Sequence, residues 1–187
     1  MTARTTRNIA VLVGSLRKES YNLKLAKALT TLAPAELSLN LIPIGALPLF
    51  NQDLESTPPD AWVEFRDRIR PASGVLFITP EYNRSVPGVL KNAIDVGSRP
   101  PGKSVWNKKP GAIISASPGQ LGAFGANHHL RQCLVSLNVP LLQQPEAYLG
   151  GVAQMFDDNG ALVEKPRELM TKFITAYASW VEKLATE

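Results

Sequence analysis

Apolar positions along the chain recur with two periods that replace one another in turn. The run Asn8–Gly14 (NIAVLVG) is almost continuously apolar, the pattern of a strand covered on both faces. Next, Leu23, Ala26, Leu29 and Leu32 recur at helical spacing within Tyr21–Leu32. A second strand is predicted over Glu36–Ile44, where apolar and polar residues alternate, followed by a Pro-rich loop, Gly45–Pro59. A short helix then carries Trp62, Phe65 and Ile69 on one face. Buried strands are predicted at Ser73–Pro80 and in the segment PGAIISASPG, Pro110–Gly119. Between them lies a helix that opens at Pro87, a residue well suited to a first helical turn. The segment ANHHLRQCLVSLN reads as a helix, Val139–Gln144 as a short fifth strand, and Pro166–Ala185 as a closing amphipathic helix.

Strands that alternate with helices imply a parallel sheet covered on both faces. With five strands, the expected fold class is α/β, a flavodoxin-like three-layer αβα sandwich of strand order 2-1-3-4-5. Such a sheet binds its ligand at the C-terminal edge of the strands, where the strand order reverses. The 187 residues suit one domain, 1–187, and show no internal repeat or composition shift. An apolar share of 44% against 19% charged excludes a disordered chain. No apolar run approaches the ~20 residues of a membrane span, and the basic N-terminus lacks the apolar stretch of a signal peptide. A single cysteine, Cys133, leaves no intramolecular disulfide and fits a cytoplasmic setting. The net charge of +4 suits anionic ligands. Its Lys and Arg residues are scattered without aromatic interleaving, which argues against nucleic acid as a partner.

Two turns at that strand edge carry chemistry. The first, GSLRKESYN (Gly14–Asn22), joins the first strand to the first helix. There, unpaired backbone N–H groups and the helix dipole favour an anion. Ser15 and Ser20 add hydroxyls, Arg17 a guanidinium matched to phosphate oxygens, and Asn22 an amide. Singly, each has a plainer role, Ser20 as an N-cap and Arg17 as a solvated charge. Together they point to a phosphate. Neither G-x-G-x-x-G nor G-K-[ST] is present, so a mononucleotide fits better than a dinucleotide. The second turn follows the third strand, within TPEYNRSVPGVLKNAID. Pro80, Glu81, Tyr82 and Asn83 offer free backbone and an aromatic face to a flat ring. They equally suit a Pro-stiffened connection, and Lys91 and Asp95 suit a helical ion pair.

These two motifs, with SASPGQLGAFGANHHLRQCL, resemble the NADPH-dependent FMN reductase family, and more narrowly its bacterial branch of chromate-reducing quinone reductases and azoreductase-like enzymes. The resemblance spans about Asn8 to Gly151. It implies that Ser15, Arg17, Ser20 and Asn22 hold the FMN phosphate. It places Pro80, Glu81, Tyr82 and Asn83 against the isoalloxazine ring and Ser117 and Gly119 on its other side. FMN then carries the hydride chemistry, with no catalytic side chain and no metal. NADPH or NADH is the donor, and the acceptor is a small molecule: a quinone, free flavin, an azo compound or chromate. A homodimer or homotetramer is implied as well. Alternatives on the same fold are a flavodoxin-type electron carrier, which tends to be acidic, and a non-catalytic FMN-binding module. Relatives often carry an Arg a few residues before HLRQ, where this chain has Phe124 and Gly125. Arg84, Arg99 and Lys103 are candidates for a ribose phosphate of the donor.

Other residues take plainer expectations. His128 and His129 diverge by about 100° on a helix and cannot share one metal. Cys133 reads as a buried thiol among leucines. Trp62, Trp106 and Trp180 read as packing, with Trp106 able to reach substrate or a neighbouring subunit.

Overall fold

The computed structural model describes residues 6–185. Ten main elements alternate: β1 (Arg7–Val13), α1 (Tyr21–Leu32), β2 (Leu37–Leu41), α2 (Asp60–Ile69), β3 (Gly74–Thr79), α3 (Gly88–Gly97), β4 (Gly111–Ala116), α4 (Phe124–Ser136), β5 (Tyr148–Leu149) and α5 (Glu164–Ala185). All five strands pair in parallel in the order β2-β1-β3-β4-β5, as the sequence pattern predicts. Strands β3 and β4 are buried at every position, which explains their unbroken apolar runs. Helices α1 and α5 pack with Ile9, Val11, Leu76 and Ile114 on one face of the sheet. On the other face, α2, α3 and α4 pack with Ala10, Leu12, Phe77 and Ile113. Among the described residues, no helix is long and apolar enough to cross a membrane.

Three differences from the expected elements have local causes. β2 ends at Leu41, because Ile42 makes the last contact to β1, through its N–H and the Val11 carbonyl at 2.9 Å, and Pro43 has no N–H to extend the ladder. The fifth strand is not Val139–Gln144. That segment brackets only Gly111, through Gly111 N to Pro140 O at 3.0 Å and Leu142 N to Gly111 O at 2.8 Å. Pro145, which also lacks an N–H, interrupts it, and regular pairing resumes at Tyr148–Leu149 beside Ser115–Ala116. On α1, the buried stripe is Asn22, Leu25, Ala26 and Leu29, so Leu23 and Leu32 lie at its margins. A polar Asn therefore sits where an apolar stripe would otherwise begin.

Trp62 and Trp106 are fully buried. Trp106 donates its indole N–H to the Ile94 carbonyl at 2.9 Å and packs against Phe65 and Phe77, so it faces neither substrate nor partner. Cys133 is half-buried, contrary to the expected core position, because Leu130 and Leu134 take the inward face of α4. At the N-terminal edge of the sheet, the buried Tyr177 hydroxyl of α5 lies 2.9 Å from the Val75 carbonyl and 3.1 Å from that of Pro110. Burial pushes its pKa well above the ordinary tyrosine value.

The unfolded chain releases this phenolic proton near pH 10 and the folded chain holds it, so stability falls as pH rises above 10. Urea denaturation of Tyr177→Phe should show a loss of about 1–3 kcal/mol at neutral pH and a flatter decline above pH 10 than in the parent.

Candidate functional site

The turn after β1 leaves the sheet at Gly14, whose N–H donates to the Ile78 carbonyl at 2.8 Å. A side chain here would press on Leu90, Thr79 and Pro80 at 3.1–3.3 Å, so the need for glycine is close approach rather than backbone angle. Beyond it, none of the backbone N–H groups from Ser15 to Glu19 finds a protein acceptor among the described residues. Ser20 caps α1, its buried hydroxyl oxygen accepting from Leu23 N at 3.2 Å. The plain role is thus real, and the hydroxyl proton stays free to donate. Arg17 is exposed, with no carboxylate or carbonyl partner among the described residues. Asn22, nearly buried, donates from Nδ2 to the Ala116 carbonyl at 3.3 Å, and its Oδ1 is buried without any donor. The first turn of α1 is therefore tied to the end of β4, and one acceptor is left over.

The turn after β3 is a two-residue hairpin. Tyr82 and Ser85 exchange backbone hydrogen bonds of 3.0 Å across Asn83 and Arg84, both at positive φ, 50° and 67°. Asn tolerates this conformation, and Arg84 adopts it at some cost. Tyr82 is 48% exposed on the hairpin. The Glu81 side chain does not stand free at this edge. Its Oε2 accepts from Ala126 N, in the first turn of α4, at 3.0 Å, and its Oε1 lies 3.3 Å from Arg84. A carboxylate at that helix start is favoured by the helix dipole. The contact also explains the chain's glycine at 125, since a Cβ there would lie 2.9 Å from both Glu81 Oε2 and the Arg84 carbonyl.

The loop after β4 closes the third side. Ser117 donates to the Gly119 carbonyl at 3.1 Å, and Gly119 is exposed. Ser115 is fully buried and donates to the Gly122 carbonyl at 2.8 Å, while accepting from Asn127 Nδ2 at 3.1 Å. Arg131 in turn holds Asn127 Oδ1 at 3.0 Å. The expected residues thus fall on three adjacent turns at one strand edge. Sequence reasoning did not single out Asn127 and Arg131, which brace the loop after β4 from α4, or Asn92, which holds the loop after β2 from α3. Their signal was a polar residue on an otherwise apolar helix face.

The chain is similar to known proteins. Residues 7–154 match the model of the NADPH-dependent FMN reductase family. The chain belongs to that family. It is 58% identical over 176 residues to a quinone reductase of Pseudomonas putida, covering 94% of this chain and 95% of the relative. A 2-hydroxy-1,4-benzoquinone reductase of a Burkholderia species is 48% identical over 92% of this chain and 95% of its own. Among solved structures, the flavoenzyme NAD(P)H:(acceptor) oxidoreductase FerB of Paracoccus denitrificans superposes with a TM-score of 0.90 at 41% identity, covering 96% of this chain and 99% of that one. Membership in the family makes the chain an NAD(P)H-dependent FMN oxidoreductase.

Of the outer residues, one departs from its expected role. Arg99 is committed elsewhere, with Nε 2.6 Å from Glu55 Oε1, a charge contact rather than an aligned hydrogen bond, and with its guanidinium over the Phe50 ring. Lys103 is exposed in the segment after α3. His128 and His129 part as expected of helix neighbours, one beside the Tyr148 hydroxyl at 3.1 Å and the other beside the Ser85 hydroxyl at 3.0 Å. The Tyr148 hydroxyl also donates to Glu146 at 2.8 Å, and burial together with that carboxylate pushes its pKa up.

Glu81→Ala removes the acceptor at Ala126 N and should lower stability by about 0.5–2 kcal/mol in thermal or urea unfolding. Glu81→Gln keeps an amide oxygen there and should recover most of that loss.

Proposed function

We propose that FMN is held at its phosphate by Ser15, Arg17 and Ser20, with Asn22 at the adjoining ribityl chain, and at its flavin ring by Pro80, Glu81, Tyr82 and Asn83, with Ser117 and Gly119 on the far side. The observation that carries the assignment is the run of unpartnered N–H groups from Ser15 to Glu19 leading into the start of α1, beside an uncommitted Arg17. Such a run suits a dianion. The buried Asn22 Oδ1 needs a donor, and the ribityl hydroxyls of FMN supply that chemistry where a phosphate oxygen would not. Glu81 serves this site through its backbone, because its carboxylate is spent on α4. The donor set therefore fits the group.

Bound FMN supplies hydride acceptance from NAD(P)H and two-electron donation to an acceptor. The chain's own residues bind and orient. Backbone N–H groups and Arg17 neutralise the phosphate, and Tyr82 borders the open side of the ring. Arg84, exposed at the hairpin tip and 3.3 Å from Glu81, and the exposed Lys103 are the cations proposed to meet a phosphate of the nucleotide donor, since Arg99 is engaged with Glu55. A quinone is the proposed acceptor, from the names of the Pseudomonas putida and Burkholderia relatives. Association into a homodimer or homotetramer belongs to this reading, supported by the exposed Leu121, Phe124 and Val135 on and beside α4.

Titration of apoprotein with FMN, followed by flavin fluorescence quenching, should show Arg17→Ala binding at least about tenfold more weakly, the scale of one charge-assisted hydrogen bond. Unchanged affinity would remove Arg17 from the phosphate site. Stopped-flow bleaching of the reconstituted parent by NADPH, then recovery of colour on adding a benzoquinone, tests the reductase cycle itself.

A further inference from the structure

The 45–59 loop is long, rich in Pro and lacks strand structure, yet it is tightly fixed. Asn92, on the buried face of α3, makes three contacts to it: its Oδ1 accepts from Phe50 N at 2.8 Å, and its Nδ2 donates to the Pro48 and Leu47 carbonyls at 3.1 and 3.3 Å. Trp62 donates its indole N–H to the same Pro48 carbonyl at 2.9 Å and stacks on Phe50 at 5.6 Å. Beside the other end of this arch, Leu16 of the first turn lies against Gly45. The loop thus bridges the first turn and α3, which is the helix launched by the Tyr82 hairpin. It lies along the strand edge that holds the cradle.

At the crest of this arch stands Leu49, 79% exposed, between Pro48 and Phe50, two of the three residues that Asn92 grips. A flexible loop would fold such a side chain inward. Here the hydrogen bonds on Pro48 and Phe50 deny it that choice. Leu16, 59% exposed, and Tyr82, 48% exposed, stand at the same edge. We infer that Asn92 is a positioning residue for acceptor recognition: it holds the 45–59 arch so that Leu49 forms an apolar wall, with Leu16 and Tyr82, for the ring of an aromatic acceptor. This rests on the reading that the edge binds FMN and reduces a quinone. It adds a source of selectivity for flat apolar rings over small hydrophilic oxidants, because burial of a leucine favours the former alone.

The test compares kcat/KM for a methylated 1,4-naphthoquinone with that for ferricyanide in FMN-loaded enzyme. The ratio should fall at least about fivefold in Leu49→Ser, stay near the parent value in Leu49→Met, and fall in Asn92→Ala. Asn92→Ala should also become cleavable by chymotrypsin after Leu49 or Phe50. An unchanged ratio in Leu49→Ser overturns the inference, and since Leu49 is exposed, misfolding does not obscure that result. A change of oligomeric state in Leu49→Ser by light scattering, with the ratio unchanged, assigns the crest to a subunit contact and overturns it too. If the parent enzyme fails to bind FMN or to bleach with NADPH, it is the underlying functional reading that falls. If the parent turns over and only the ratio is insensitive, the failure belongs to this inference alone.

Discussion

Peptide groups without partners are the constraint around which this molecule is arranged. A backbone N–H shut away from water and from any acceptor costs free energy, so loops ordinarily turn such groups outward or satisfy them. In the turn from Ser15 to Glu19, just before α1, the N–H groups find no protein acceptor among the described residues. They are tolerable because the turn lies at the open strand edge, where a ligand or water can reach them. The parallel sheet makes this edge unavoidable, since every strand delivers its carboxyl end to the same side. The reversal of order at β1, with β2 to one side and β3 to the other, parts the following connections and leaves room between them.

Holding three irregular turns in register is the next difficulty, and α4 solves much of it. Its first turn takes the Glu81 carboxylate, its interior Asn127 grips Ser115, and Arg131 steadies Asn127. α1 contributes from the opposite face of the sheet, through Asn22 and the Ala116 carbonyl. These ties connect residues 45 and 94 positions apart in the chain. A buried polar network of this kind is worth keeping only if its members are satisfied, and the one atom left over, Asn22 Oδ1, lies beside the cradle.

The layered fold was legible because β1, β3 and β4 carry nearly continuous apolar runs and the helices between them are amphipathic. Periodicity alone was enough to order them. The fifth strand was not legible. Val139–Gln144 has the composition of a strand, but two prolines deprive it of the donors a ladder needs, and the two residues that do pair carry no periodic signal. In the site, residue type pointed to the phosphate turn, and the motif resemblance pointed to the ring-binding hairpin. What stayed hidden was how side chains divide their work. Glu81 looks like a ligand contact and spends its carboxylate on a helix start, whereas Asn92 looks like one more helical residue and clamps a loop 42 to 45 positions away. Such pairings depend on tertiary distance, which no local window contains.

The brevity of β5 bears on how the molecule keeps to itself. A strand at the margin of a sheet is an invitation to further strands, since its outer peptide groups are unsaturated. Here that margin is a stub of two residues preceded by a proline, too short to template another chain. The protein can therefore expose apolar side chains on its helices and loops for productive contact without offering, on that flank, a seam along which copies could polymerise.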